Sequence, residues 1–442
     1  MPETINGISY YSAPFSIRLD RIASVVLGFL VVFTGPINDN LLVNFGGYYR
    51  LNLFEFTAIP IILLGLFAYG IRIKRYEQFL FLSLILVLLS RAISLLVSED
   101  TVTIQWAGLL RYIGSTLGII YILANLLTDS KNRNLFIYGL IIGVTIESIG
   151  GLLNFILSPE MARGYFLSVA TSGIQMFLIF ACISAFMKKH SRFLMIIIIL
   201  LLSISVVSTL SRGAIIGLML VFIVTLLYAG YSRKRFLQLI FLITLIIGTS
   251  FVIIRVAPWM IEQLLWRIET GISEKEGGVV ERLVLYEMCV NAFLQLPVTG
   301  IGSGGIKEQQ GSLETLTREI PAAFSGYRLS PHSTILGIIA ETGIIGLTAY
   351  LLWMIAVIGI CIKVLHLSKK PNGKNNIYAI AASLWIILAI TYGDLLAESS
   401  FYPVMNSLVG FVLGWLRDNK RPLNTIKPLK EDFERYASSI IK

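Results

Sequence analysis

Between Ala257 and Pro331 the chain reads PWMIEQLLWRIE (258–269), then SEKEGGVVERLVLYEMCVNAFLQLPVTGIGSGG (273–305), and runs on through YRLSPHS (327–333) into the next apolar stretch. It is the one long run, about 75 residues, between hydrophobic segments. Before and after it the sequence is mostly apolar. The whole chain is 56% hydrophobic and only 14% charged, against about 25% charged in an ordinary soluble domain. Such a chain is a polytopic membrane protein. The apolar runs are long and continuous rather than alternating, which selects helices over barrel strands, and a helix satisfies its own backbone groups in lipid.

Apolar segments long enough to span, about 17–25 residues each, fall near 22–36, 53–71, 77–97, 104–127, 134–157, 165–187, 193–210, 213–229, 236–256, 333–363, 376–396 and 403–417. The expectation is an all-α integral membrane protein of about twelve transmembrane helices, one polytopic domain over 1–442. The first run lacks a convincing small-residue cleavage site and reads as an uncleaved span.

Lys and Arg in short loops set orientation. One side collects Arg18 and Arg21, Arg72 to Arg75, Lys131 and Arg133, Lys188 to Arg192, Arg233 to Arg235, Lys369 to Lys374, and Arg417 to Arg421. The opposite short loops hold Arg50, Arg163 and Arg212. Both termini are therefore expected in the cytoplasm and 257–331 outside, as a periplasmic loop between spans nine and ten. Residues 418–442 form a polar cytoplasmic tail, either solvated or touching the membrane surface. The net charge of +10 reports topology rather than nucleic-acid binding: the loop itself has six Lys/Arg against nine Glu. Cys182, Cys289 and Cys361 make no disulfide framework.

Within the loop, 281–296 suits a helix. Arg282, Leu285, Tyr286, Cys289 and Phe293 share one face, and Pro297 and Gly300 end it. GIGSGG (300–305) can offer backbone N–H groups to an anion or serve only as a turn; no strand precedes it, so it is no dinucleotide fingerprint.

The candidate chemistry gathers at the outer ends of the spans. Of three histidines, His190 and His366 lie at cytoplasmic ends and His332 alone faces outside. An imidazole there suits proton uptake near neutral pH, or merely marks the boundary. The following run, H-S-T-I-L-G-I-I-A-E-T-G-I-I-G, puts Gly343 and Gly346 about 20° ahead of and 40° behind His332 on a straight helix, so that one close-packing face would hold the histidine. Arg212, in S-T-L-S-R-G-A, sits at the outer junction of spans seven and eight, and Arg282 on the loop helix. Arg91 and Arg111 lie inside spans three and four, where an arginine costs about 2.5–3.5 kcal/mol even on lenient scales, so each needs a wet cavity or a partner. Glu55, Asp394 and Glu398 are the expected partners. An ion pair is the preferred reading of Arg91; for Arg111 pairing and function stand even.

Converging arginines suit phosphate or pyrophosphate, which a guanidinium binds bidentately, and a histidine beside them suits a base for a hydroxyl. No zinc spacing, D-x-D run or G-x-S-x-G elbow appears. The chemistry that fits is metal-free transfer from a lipid-linked phosphate or pyrophosphate donor, with no cofactor.

The ordered set S-R-G-A (211–214), R-x3-Y (282–286) leading into L-P-V-T-G-I-G (296–302), and H-S-x9-G-x-x-G (332–346) resembles the O-antigen ligase and O-antigen polymerase superfamily, and the layout around the large loop covers nearly the whole chain. The resemblance implies a GT-C-type glycosyltransferase in the bacterial inner membrane and a metal-independent, inverting transfer from an undecaprenyl-pyrophosphate-linked glycan. It implies that Arg212 and Arg282 hold the pyrophosphate and that His332 activates or orients the acceptor hydroxyl. Arg111 and Tyr286 are supporting candidates from the residues alone. Ligases deliver to lipid A-core, polymerases to another lipid-linked repeat, and some relatives to protein hydroxyls. Full spacing of both glycines after His332 leans toward a ligase. A lipid-glycan flippase is the contrasting class; the short link at 188–192, the lack of repeats and the long loop count against it.

Overall fold

The structure is a computed structural model that describes chiefly residues 14–32, 53–70, 73–97, 112–157, 192–208, 278–308, 333–369, 377–391 and 402–419, with short ladders and scattered residues elsewhere. It is predominantly helical. In chain order the helices are α1 (Pro14–Val31), α2 (Leu53–Tyr69), α3 (Gln78–Val97), a π-helical turn (Ile113–Gly118) running into α4 (Ile119–Leu126), α5 (Ser130–Leu157), α6 (Arg192–Ser208), α7 (Gly278–Gln295), the single turn α8 (Gly305–Glu308), α9 (Thr334–Ser368), α10 (Ile377–Thr391) and α11 (Tyr402–Asn419). Two small antiparallel ladders add to the all-helical expectation: β1 (Thr4–Ile5) with β2 (Ile8–Ser9), and β3 (Val43–Phe45) with β4 (Tyr49–Leu51). The second includes Arg50, on β4.

Nine of the twelve expected spans coincide with helices. The other three, 165–187, 213–229 and 236–256, fall mostly outside the described residues; those described there are helical. Gln78–Val97, Ser130–Gly150 and Thr334–Ser368 are long and apolar enough to cross a membrane, and Ala58–Tyr69, Thr116–Leu126, Met195–Val206 and Ile377–Ile390 are shorter apolar helices. On α3 the packing is that of a lipid-facing helix. Phe79, Leu82, Ile85, Leu89, Ile93 and Leu96 are exposed, while Ser83, Ser90 and Ser94 are buried. Large apolar side chains point outward because lipid solvates them, and small ones line the helix contacts.

Two small-x-x-x-small seams fix the bundle. Gly139 and Gly143 on α5 meet α1 so closely that a Cβ at 139 would stand 2.2 Å from the Val25 carbonyl oxygen. Gly410 and Gly414 on α11 do the same against α4, where a Cβ at 414 would stand 2.9 Å from the Leu127 oxygen.

One end of the bundle is laced with polar contacts. Arg417 donates to both carboxylate oxygens of buried Glu77 at 2.7 and 2.6 Å, and to Asn125 at 2.5 Å. Arg133 pairs with Asp418 at 2.8 Å and donates to the Leu127 and Thr128 carbonyls. Tyr69 donates to Asp20, and the Lys363 ammonium lies over the Tyr76 ring. These residues border the Lys- and Arg-rich loops expected on the cytoplasmic side. Labelling tests the assignment. Cys182, Cys289 and Cys361 are all buried, so introduced cysteines report with little background. With Lys307→Cys, an impermeant maleimide is expected to react in cells whose outer membrane alone is opened. With Lys370→Cys it reacts only after the inner membrane is breached. Reaction at 307 only after that breach would reverse the topology.

Candidate functional site

The ordered part of the long loop has its own core. On α7 the side chains of Val284, Leu285, Met288, Cys289 and Ala292 are buried, and they pack with Ile301, Ile306 and Ala340, with Leu336 against them. This cluster is separate from the large core of the bundle. The expected helix at 281–296 is thus present. Its buried stripe keeps Leu285 and Cys289 but is centred one residue away from the expected face, on 284, 288 and 292. The shift has a plain cause: Arg282 stays exposed, and the apolar residues beside it turn inward instead. Burial, aided by the nearby Glu341 carboxylate, pushes the Cys289 thiol up to about 12, so it is an inert packing residue at neutral pH.

The glycine-rich segment after α7 is neither a free anion cradle nor a loose turn. Two of its N–H groups, those of Ile301 and Gly302, are spent on α9, and those of Gly300 and Gly305 on nearby backbone. Ile301 donates to the Ala340 carbonyl at 3.0 Å and Gly302 to the Glu341 carbonyl at 3.1 Å. In return, Ile344 donates to the Pro297 carbonyl at 2.9 Å. These bonds exist because α9 is interrupted: Gly343 adopts φ 63°, ψ −161°. Gly300, Gly302 and Gly304 also have positive φ, at 68°, 106° and 82°. Two backbones are in contact here. A Cβ on Gly343 would lie 2.3 Å from the Val298 oxygen, and one on Gly300 2.3 Å from the Glu341 carbonyl carbon. Only glycine fits both the space and the torsion.

The break corrects the straight-helix reading of the His332 motif. Gly343 receives a loop rather than a neighbouring helix, and Gly346 lies beyond the break. Gly346 makes room for the Thr342 hydroxyl and approaches Ser90 on α3. The serine of the motif has a local task. Ser333 caps α9, its hydroxyl accepting from the Leu336 N–H at 3.3 Å, which fixes the helix start at Thr334, two residues after His332.

Arg91 reaches this junction from α3. Its guanidinium donates to the Ser303 hydroxyl at 3.0 Å and lies 4.7 Å from the centre of the Tyr112 ring. Its charge acts on the Glu341 carboxylate. Ser94, one turn further along α3, donates to the Glu341 carbonyl. The ion pair expected for Arg91 does not appear among the described residues: its guanidinium is held by Ser303 and Tyr112, and Glu341 is the carboxylate that feels its charge. The Glu55 side chain, Asp394 and Glu398 lie outside the described residues. Glu341 was detectable in the sequence as the lone carboxylate of a 35-residue apolar helix, a costly position that calls for a partner. The π-helical turn of span four begins immediately after Tyr112, at the level where Arg91 stacks.

Of the residues singled out from the sequence, Arg212, His332 and Arg111 lie outside the described residues. Arg282 is exposed on α7, with no side chain paired to it among the described residues, and Tyr286 is half-buried one turn later. Cys289 and Glu341 mark where α7 and α9 are level. From there Arg282 stands seven residues along α7, about 10 Å at 1.5 Å per residue. What the described arrangement offers is an exposed guanidinium on a helix that is docked rather than free, and a capped, braced helix start beside the histidine. A search of curated proteins finds no match to the chain. A family model, that of the O-antigen ligase family, does match over residues 194–351, a stretch that begins in α6, includes Arg212, Arg282, His332 and Glu341, and ends within α9; over these residues the chain is similar to that family.

Proposed function

We propose that the protein is an O-antigen-ligase-like glycosyltransferase. It moves a glycan from undecaprenyl pyrophosphate to an acceptor hydroxyl, that of lipid A-core, on the periplasmic face of the bacterial inner membrane. The observation that carries this reading is the family match across 194–351, which holds all three motif residues. Arg212 and Arg282 bind the pyrophosphate, whose charge persists as the sugar–phosphate bond breaks and grows on the leaving oxygen. Fixed guanidinium groups stabilise growing charge best where water is partly excluded. Arg282 stands exposed on a docked helix, where a bound substrate would have to shield it from water. His332 takes the proton of the acceptor hydroxyl, which attacks the anomeric carbon from the face opposite the pyrophosphate and inverts it. Arg111 and Tyr286 support the donor site. The fold is the GT-C type, with twelve spans and both termini in the cytoplasm.

Purified protein in nanodiscs, given a lipid-linked glycan donor, is expected to glycosylate lipid A-core rather than extend a second lipid-linked repeat. Extension of the repeat alone would make it a polymerase. The same assay tests the metal-free mechanism, because pyrophosphate charge is met by arginine. Transfer is expected to survive EDTA. Loss of activity in EDTA with recovery in magnesium would reveal a divalent-ion site.

A further inference from the structure

We propose that Arg91 is a positioning residue of this transfer. From inside span three it latches the turn that follows α7, through Ser303, and so holds the helix bearing Arg282 in a fixed place over the bundle. The positioning role rests on the function proposed above; the latch itself rests on packing alone.

Two costly placements answer each other here. An arginine inside an apolar span needs something to meet it, and Arg91 lies six residues before the end of α3, about 9 Å at 1.5 Å per residue. Ser303 is the one polar side chain in the run GIGSGG. It is buried between Gly302 and Gly304, both at positive φ, and a buried hydroxyl needs a partner. The guanidinium donates to that hydroxyl at 3.0 Å and stands 4.7 Å from the centre of the Tyr112 ring. An aromatic face holds a cation in place without an acid. Arg91 shares one side of α3 with Val87, Ser90 and Ser94, all buried, and Ser94 donates to the Glu341 carbonyl. Span three therefore grips the turn and α9 side by side.

The latch fixes the plugs of the loop's own core. Ile301 and Ile306 stand on either side of Ser303, and both enter the cluster that buries the apolar side of α7. That cluster is separate from the core of the bundle, so α7 takes its position from the turn and from the first part of α9. Backbone bonds at 301, 302 and 344 tie the turn to α9; Arg91 ties the same turn to α3. Supports on two helices remove a tilt that one helix alone would allow. Tyr112 brings in span four, because it caps the π-helical turn Ile113–Gly118.

Ser303→Ala removes the acceptor and Arg91→Leu the donor. Leucine suits an apolar span, so the second change eases insertion rather than burdening it. Two sets of measurements separate positioning from mere stability. The first is donor affinity beside single-turnover transfer at saturating donor. The second is the distance distribution between spin labels at Leu96→Cys on α3 and Leu294→Cys on α7; both sites are exposed and the native cysteines are buried. Each variant is expected to broaden the distribution and to slow transfer about 10–100-fold, the size a misplacement near 1 Å produces, with donor affinity little changed. The double variant is expected to be no slower than the slower single one, because the two residues share one bond. A wild-type rate in Ser303→Ala, a slowed rate with an unbroadened distribution, or losses that multiply in the double variant overturns the proposal. So does a fall in donor affinity confined to Arg91→Leu, which would make Arg91 a ligand of the donor's phosphates. If Arg91→Leu does not run as a single species on gel filtration, Ser303→Ala decides: a broadened distribution with slowed transfer supports the latch, and wild-type behaviour sinks it. Should wild-type protein show no transfer with any lipid-linked donor, the functional reading falls, while the distances still decide whether the latch exists.

Discussion

His332→Ala is expected to lower single-turnover transfer by about 10²–10⁴-fold, the usual worth of a positioned general base, while donor affinity stays near wild type. The histidine acts on the acceptor hydroxyl, so removing it leaves the pyrophosphate contacts intact. The pH profile provides a second readout. A base works when neutral, so activity rises as pH climbs through the imidazole range, near 6.5 for an unperturbed group, and the variant loses that acidic limb. Arg212→Ala and Arg282→Ala are expected to behave differently, losing donor affinity and rate together, because their charge meets the pyrophosphate in both ground and transition states. Arg282→Lys rescues only in part, since an ammonium lacks the planar fork. Donor binding and single-turnover transfer for the four variants in nanodiscs provide the comparison. A His332→Ala protein that binds donor poorly yet turns over normally at saturation would move the histidine into the pyrophosphate site.

Gly343→Val is expected to undock the loop. Holding a branched residue at φ 63° is outside what its backbone sterics allow, a left-handed residue costs about 1–2 kcal/mol before any clash, and overpacking adds about 1–3 kcal/mol. The added Cβ would lie 2.3 Å from the Val298 oxygen and 2.7 Å from the Thr299 nitrogen, both backbone atoms that cannot rotate away. The chain must then surrender either the kink or the hydrogen bonds at 340–345. Expected consequences are a lower melting temperature in detergent and new proteolytic cleavage between 297 and 308. Gly359→Ala is the control on the same helix, where an added Cβ meets nothing within 4 Å. Equal behaviour of the two variants would show that the kink is not what holds the loop.

Much of the bundle was legible because its signals are local. Runs of apolar residues and the placement of lysine and arginine name spans without knowledge of what packs on what. The loop helix was legible for the same reason, with Pro297 and Gly300 as its stop. What escaped was the meeting of distant segments. Gly343 and Gly346 look alike in a sequence, yet one breaks a helix for a backbone loop and the other makes room for a hydroxyl on its own helix. Arg91 announced that it needed company, but candidates at the same depth outnumber true neighbours, and the carboxylate beside it lies 250 residues away along the chain. GIGSGG read as a possible ligand cradle because sequence shows donors and not who has already claimed them. His332 and Arg282 were chosen by chemistry and motif; their mutual geometry remains the business of the variants above.

The small second core has a consequence for how the protein is made. The apolar side of α7 leaves the membrane-insertion machinery before α9 has been synthesised, yet Ala340 and Leu336, which complete its core, belong to α9. Until α9 is threaded, that side of α7 has only Ile301 and Ile306 to cover it. Maturation of the loop therefore waits on a later insertion event, and the arginine of α7 comes to rest only when the segment following the histidine has arrived. A nascent chain halted before residue 334 would be an inserted protein with an unfinished exterior. Quality-control proteases on that side of the membrane would meet it as a substrate.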